Sequence, residues 1–280
     1  MKRLIVNADD FGLTAGVNRA IVELHRAGVL TSTTLMAAAK AADNAIAMAL
    51  ATPSLGVGCH VVLVDGDPVL PAQAISSLID KRTGRLQPTL GAFLKRLLTG
   101  RINPDEIEAE AAAQIALLQS KGVKLTHIDT HKHVHMFPAV LRPVLRAAQA
   151  AEIIAIRNPF EPAWSVRATP NAPWKRRMEV NVLRQLEPAF RRLVAKAGLA
   201  TTDGALGVLA TGTLNAAAVT SLLAHLPEGT WELVTHPGVN DADLAQAHTR
   251  LLASREIERE ALQAIKQIQA IEQINFGDLA

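Results

Sequence analysis

Four apolar, strand-like runs in this chain each lead into acid or imidazole side chains. Leu4-Ile5-Val6 precedes Asp9 and Asp10, residues 55–59 precede His60, residues 125–128 precede Asp129 and His131, and residues 231–235 precede His236. In a barrel of parallel strands alternating with helices, the carboxyl ends of all strands meet at one rim. Residues far apart in sequence then converge on one pocket. Two carboxylates and several histidines at such a rim form the donor set of a hydrolytic metal site.

The rest of the chain supports that architecture. Strand-like segments are expected at 3–8, 30–37, 55–61, 125–131, 153–157, 205–210 and 232–236, and helical ones at 14–27, 41–51, 90–98, 138–150, 178–197, 215–226, 241–253 and 254–270. A further helix opens at Asn103-Pro104-Asp105-Glu106, which offers an Asn cap, Pro in the first turn and Glu three residues after the cap. Leu262, Ile265 and Ile268 form an apolar stripe suited to core packing. The pattern predicts an α/β fold: a distorted or incomplete (β/α) barrel of about seven mostly parallel strands, of the glycoside hydrolase and deacetylase type. No repeat or linker interrupts it, so residues 1–280 are read as one domain. The Pro- and Trp-containing stretch at 158–178 is expected to be a substrate loop or lid.

Composition narrows the function classes. At 49% hydrophobic and 20% charged the chain is globular, and a net charge of +3 does not call for nucleic acid. Lys175-Arg176-Arg177 reads as a solvated helix face, with a phosphate or membrane patch as the competing reading. The single cysteine, Cys59, precludes an intrachain disulfide and suits a reducing cytoplasm. Its neighbour His60 should point to the opposite face of the strand, leaving Cys59 against a helix. No signal-peptide pattern opens the chain. The weakly charged stretch at 204–226 is broken by Gly207, Gly212 and Asn215, and so is not read as a membrane span.

The chemistry concentrates in two segments. In Asn7-Ala8-Asp9-Asp10-Phe11-Gly12, adjacent carboxylates on a straight strand would face opposite ways, and Gly12 signals a turn that swings both inward. Such a pair divides labour, one bound to a cation and the other a base toward the cation's water. In residues 126–135, His127, Asp129, His131, His133 and His135 all occupy odd positions and share one face of an extended chain. His127 and His131 would then lie roughly 13 Å apart, so only one of these histidines, or two if the chain turns, can hold an ion. Asp129 is suited to accept a ring N–H from a ligating histidine. His60 and His236 end strands. His25, His225 and His248 fall in helical stretches and read as surface or cap residues.

Asn7–Gly12, Gly58-Cys59-His60, the 126–138 segment and Thr235-His236-Pro237-Gly238 together resemble the YdjC-like carbohydrate deacetylases over nearly the whole chain. Arg157-Asn158-Pro159-Phe160-Glu161-Pro162 and the Trp164/Trp174 segment resemble the hopanoid-biosynthesis-associated branch. The resemblance implies removal of an acetyl group from an N-acetylglucosaminyl hopanoid lipid. It implies metal ligation by Asp10, His60 and His131, with Asp9 as base and His236 as acid. The family's cation is given as magnesium, whereas two imidazoles and a carboxylate suit zinc or another transition metal.

The expected site therefore contains one divalent metal ion. Asp129, His133, His135, Arg157, Glu161, Trp164 and Trp174 are expected to support ligands or meet substrate. Arg157 would orient Asp9 or hold a sugar hydroxyl, and the two tryptophans would stack on the sugar or pack a lid. The expected partner is an acetylated amino sugar, lipid-linked in the leading reading, with a peripheral membrane contact at the inner face and a homodimer both admissible. Competing readings are a deacetylase of free chito-oligosaccharides, a two-metal phosphoesterase and a non-catalytic sugar- or lipid-binding protein.

Overall fold

A computed structural model describes residues 1–267 and 270–279. In chain order its elements are β1 (Lys2–Phe11), α1 (Ala15–Arg26), β2 (Ser32–Leu35), α2 (Ala42–Leu50), β3 (Gly56–Val61), α3 (Leu90–Leu98), α4 (Pro104–Ser120) and β4 (Leu125–Thr130). Then follow α5 (Pro138–Ala150), α6 (Ala163–Ala168), α7 (Trp174–Leu183), α8 (Glu187–Ala197), β5 (Gly204–Leu206), α9 (Ala216–Ala224), β6 (Gly229–Thr235), α10 (Ala242–Gln246), α11 (Ala253–Ala261) and β7 (Glu272–Gln273).

The strands pair in parallel in the order β4-β3-β2-β1-β6-β5, with β7 pairing the start of β1. The central strands β1, β2 and β3 are buried on both faces nearly throughout, as a parallel sheet covered by helices demands. The result is an α/β fold built as a distorted barrel. The gap between β4 and β5 is spanned by single bridges: Ile128 pairs Ile156, and Ala155 pairs Ala200. The strand expected at 153–157 is therefore not a strand. Its amides are split between two partners, Arg157 N–H donating to Ile128 O at 3.1 Å and Ile156 N–H to Ala200 O at 2.9 Å, so no ladder forms. The seventh strand is β7 instead.

Other departures have local causes. The helix expected over 178–197 begins at Trp174 and is cut by a 3-10 turn at Arg184–Leu186. Pro188, in the first turn of α8, lacks the N–H an uninterrupted helix would need. The strand expected to reach residue 210 stops at Leu206, where Gly207 turns to φ +84°. Of the helix expected over 241–253, only Ala242–Gln246 forms, capped by Asp241. His248 consequently lies outside any helix, its Nδ1 2.5 Å from Asp65 Oδ1. Asn103 caps α4 as expected, but Glu106 accepts from Ser77 N–H at 2.7 Å rather than closing back on the cap. Leu262 and Ile265 are buried, and Ile268 lies outside the described residues. No helix among the described residues is long and apolar enough to cross a membrane.

The C-terminal segment closes the end of the barrel opposite the rim. Ile274 and Phe276 pack with Ile5 and Ala155 in a small cluster of their own. The Phe276 ring stacks on His127, with centroids 3.8 Å apart and planes 13° from parallel. Gly58 makes room for that ring, because a Cβ on it would lie 2.6 Å from His127 ring atoms. Since Phe276 holds the imidazole from the other side, it has nowhere to go. Gly58→Ala is therefore expected to lower stability by about 1–3 kcal/mol, read as a shift in urea midpoint at unchanged slope.

Candidate metal and acid–base site

The rim is assembled by three backbone devices. The first lies within β1: its pairing with β2 shifts register between Ala8 and Phe11, and Asp10 adopts φ +65°. That left-handed conformation costs a non-glycine residue on the order of 1–2 kcal/mol. It breaks the strand's alternation, so Asp9 and Asp10 both turn inward. The turn is thus made at Asp10 itself, not only at Gly12. The second device is register: His60 and Asp129 are paired across β3 and β4, which sets their side chains side by side. Cys59, on the opposite face, is buried in the core, and burial pushes its thiol pKa up.

The third device follows β4. The strand expected to include His131 ends at Thr130, and His131–Met136 forms a 3-10 turn in which Lys132 and His133 have φ of +58° and +53°. An extended chain would have kept all the odd-numbered side chains on one face. The turn instead separates them, and only His131 reaches the ligand cluster. His131 Nδ1 is 3.5 Å from Asp10 Oδ1 and 3.3 Å from His60 Nε2, and His60 Nε2 is 3.6 Å from Asp10 Oδ1.

Three donors at these separations fit one cation. Bonds of about 2.0–2.2 Å to nitrogen and oxygen set neighbouring donors roughly 3–3.5 Å apart. The protonation pattern agrees. His60 Nδ1 is 2.7 Å from Asp129 Oδ1 and so carries a hydrogen, which leaves Nε2, facing Asp10 and His131, as the nitrogen that would give up its proton to a cation. Thr34 Oγ1 lies 3.1 Å from the same Nδ1 and donates to Asp9 Oδ1. A second group, Asp9, His60 and Asp129, also lies close enough to surround an ion. There, however, the carboxylates already receive the guanidinium of Arg157.

Arg157 is fully buried and meets three carboxylates. NH1 and NH2 donate to Asp9 Oδ2 at 2.8 Å and Oδ1 at 2.6 Å, NH1 also donates to Asp129 Oδ2, and Nε donates to Glu232 Oε1 at 2.8 Å. Burial alone would raise the pKa of Asp9 and Asp129, but the guanidinium and His60 pull both below the usual carboxylate range. Glu232 gains less. Burial outweighs Arg157, and its pKa is pushed up to about 7. Burial likewise opposes the charged form of His60, yet Asp129, Asp9 and Asp10 lift it to about 9.

His236, just past β6, completes the rim, its Nε2 3.8 Å from Asp9 Oδ2. Burial would lower its pKa, but Glu258, Asp9 and Asp10 raise it. Asp10 is held from the side away from the histidines by Arg255, which donates to Oδ2, and its pKa lies well below the ordinary value: burial opposes this, and Arg255 and His131 outweigh it.

The remaining expected residues lie elsewhere. His127 belongs to the barrel floor, and burial pushes its pKa down to about 3. His135 Nδ1 is 2.7 Å from Thr130 Oγ1 and its Nε2 3.2 Å from Arg157 O, which braces the turn. The His133 ring packs edge-on near His135, and its buried Nδ1 lacks a partner. Glu161 is buried, accepting from Ser165 Oγ and from Leu209 N–H, both at 2.5 Å, and so pins the loop after β5. Trp164 packs edge-on against Trp231, and Trp174 is 65% exposed with Lys175 Nζ 5.9 Å from its ring centre. The 158–178 segment is not irregular throughout: residues 158–161 are buried and α6 follows. The basic run beside it is only partly a solvated face. Arg176 donates to Thr211 O and Val208 O, and Arg177 to Val166 O, Thr169 O and Ala172 O.

Sequence reasoning missed Glu232, Arg255 and Glu258. Glu232 had a signal, a lone acid amid Trp231, Leu233 and Val234. Arg255 and Glu258 had none, sitting among Glu256, Arg259 and Glu260 in what reads as a solvated helix.

The family described as YdjC-like protein matches residues 3–273. A relative from Thermoanaerobacter pseudethanolicus named carbohydrate deacetylase is 30% identical over 265 residues, 94% of this chain and 91% of the relative. One of the same name from Brevibacillus brevis is 44% identical over 158 residues, and that match spans only 56% of this chain and 60% of the relative. A crystal structure of an Enterococcus faecalis V583 protein, named for cellobiose-phosphate cleavage, superposes with a TM-score of 0.78 at 27% identity, over 100% of this chain and 99% of the other.

The shared guanidinium has a consequence for stability. Glu232 rises from an ordinary 4.5 to about 7 on folding, so the folded protein holds a proton that the unfolded chain releases. Its contribution is full below pH 4.5 and is lost as pH rises through about 7. Glu232→Gln keeps the shape and the acceptor for Arg157 without the titration. Between about pH 5 and about pH 8, its urea midpoint is expected to fall less than that of the wild type.

Proposed function

Because this chain belongs to the YdjC-like protein family, we propose that it is a carbohydrate deacetylase that hydrolyses the acetamide of an N-acetylated amino sugar with the help of one divalent cation. The observation that carries this reading is the triangle of Asp10 Oδ1, His60 Nε2 and His131 Nδ1 beside a carboxylate and an imidazole that stand 3.8 Å apart. The two relatives named carbohydrate deacetylase support the reaction class.

Asp10, His60 and His131 would hold the ion. When bound, it supplies Lewis acidity, lowering the pKa of a water and polarising the acetyl carbonyl. Asp9 takes the proton from the attacking water. Its low pKa makes it a weak base, but the Arg157 fork, Asn7 Nδ2 at 2.9 Å and Thr34 fix its position and favour its ionised form. His236 then gives a proton to the sugar nitrogen as the C–N bond breaks. Without that proton the amine is a poor leaving group. Glu258, Asp9 and Asp10 outweigh burial and favour the imidazolium form of His236.

Two imidazoles and one carboxylate favour zinc or another transition ion over magnesium. A second cation at Asp9 and Asp129 would have to displace the Arg157 guanidinium, which counts against a two-metal phosphoesterase. The substrate we favour is an N-acetylglucosaminyl hopanoid lipid, on the likeness of the Arg157–Pro162 segment to that branch. Such a substrate would bring the protein to the inner face of the membrane. Mass spectrometry of acetylated glucosaminyl lipids and of free chito-oligosaccharides, each incubated with metal-loaded protein, separates the two substrates by which one loses an acetyl mass.

Two variants test the roles. Asp9→Asn is expected to retain bound metal while turnover falls about a hundredfold or more. Near wild-type turnover would remove Asp9 as base. His131→Ala is expected to leave dialysed protein without metal by elemental analysis, and full occupancy there would overturn the ligand assignment.

A further inference from the structure

α11 carries two charged side chains buried as deeply as the core: Arg255 is 0% and Glu258 1% exposed. Three residues apart, they share one face of the helix, and that face meets the rim. Arg255 donates to Asp10 Oδ2 and, through Nε, to Leu251 O at 3.0 Å. Glu258 Oε2 accepts the backbone N–H of His236 at 2.6 Å and stands 3.8 Å from His236 Nδ1. His236 Nδ1 and Glu258 Oε1 are both buried without a hydrogen-bond partner.

A buried carboxylate oxygen and a buried ring nitrogen left unpaired are each costly. Here they belong to side chains already joined through the His236 backbone. Rotation of the imidazole brings Nδ1 onto the carboxylate, and hydrogen bonds of this kind are commonly long until substrate is bound.

We propose that Glu258 is a positioning residue for His236: its carboxylate accepts the Nδ1–H and so fixes the ring with Nε2, and the proton it donates, toward the departing nitrogen. This rests on the reading of His236 as acid. In the step it serves, the His236 Nε2 proton passes to the nitrogen of the attacked amide, the C–N bonding pair goes with that nitrogen, and the carbonyl re-forms as acetic acid, which loses its proton to solvent. His236 is left neutral with Nδ1–H still held by Glu258. The charged groups facing the ring are Asp9 and Asp10 from the barrel and Glu258 from α11, with Arg157 paired to Asp9 and Arg255 to Asp10. One helix thus holds both the acid and, through Arg255, the far oxygen of Asp10.

The test compares two leaving groups in metal-loaded protein. Acetylated chito-oligosaccharide releases an amine that must be protonated, whereas 4-nitrophenyl acetate releases a phenolate that need not be. E258Q is expected to lower kcat on the amide by about 10–100-fold with KM little changed, and to lose at least tenfold less on the ester. H236Q should show the same discrimination more strongly. E258D, which keeps the charge but withdraws it, should show a smaller loss in the same sense, and it decides the matter where E258Q does not fold. Equal losses on both substrates, or no loss, in the Glu258 variants while H236Q discriminates would overturn Glu258 as positioner and leave the acid assignment standing. H236Q without discrimination overturns the acid assignment, and with it the role given to Glu258.

Discussion

One buried guanidinium organises this rim. Arg157 touches Asp9, Asp129 and Glu232, and each of those carboxylates comes from a different strand. An isolated buried charge is prohibitively costly, so the arginine and its acids must come together or not at all. Through Asp129 the network reaches His60 and fixes which ring nitrogen bears the hydrogen. Through Asp9 it aims the carboxylate that faces His236. The planar fork matters as much as the charge, because it binds Asp9 through both oxygens while still serving two further acceptors. One positive charge among three acids leaves an excess of negative charge, and the acid that takes up a proton most readily is Glu232, where burial outweighs Arg157.

Strain is concentrated where the ligands are. Asp10 is left-handed within β1, and Lys132 and His133 are left-handed directly after His131. Each distortion breaks a periodicity that would have sent a donor the wrong way. Neighbouring residues on a strand face opposite sides, yet Asp9 and Asp10 share a pocket. A strand carried past Thr130 would have aligned four histidines along one face and spread them too far for a common ion. Such unfavourable backbone states persist only where the surroundings over-determine them. Arg255 on Asp10 and the Lys132–Asp65 ion pair supply part of that determination.

Much of the site was legible because its residues, Arg157 apart, stand at or just past strand ends. Asp9, Asp10, His60, Asp129, His131, Arg157 and His236 all converge on the rim, as parallel connectivity requires. Glu161, Trp164 and Trp174 stood in the same suggestive segment, but burial, ring packing and exposure turned them to other uses. Nothing local distinguishes Glu258 from Glu260 or Arg255 from Arg259, since each pair is a charge on an amphipathic helix. Their difference is burial, which depends on where α11 settles against the barrel.

The sequence alone determined the alternation of strands and helices, hence the shared rim, and the residue types available there. Period-2 and period-3.6 patterns and turn residues are local properties that neighbours write directly into the chain. Only the tertiary structure decided which histidine of the 127–135 run joins Asp10 and His60, and that Arg157 binds three acids at once. It alone assigned Arg255 and Glu258 to the interior. Those outcomes depend on angles at Asp10 and Lys132 and on contacts between residues more than a hundred positions apart, where strain and charge are balanced by the whole fold and not by the segment that bears them.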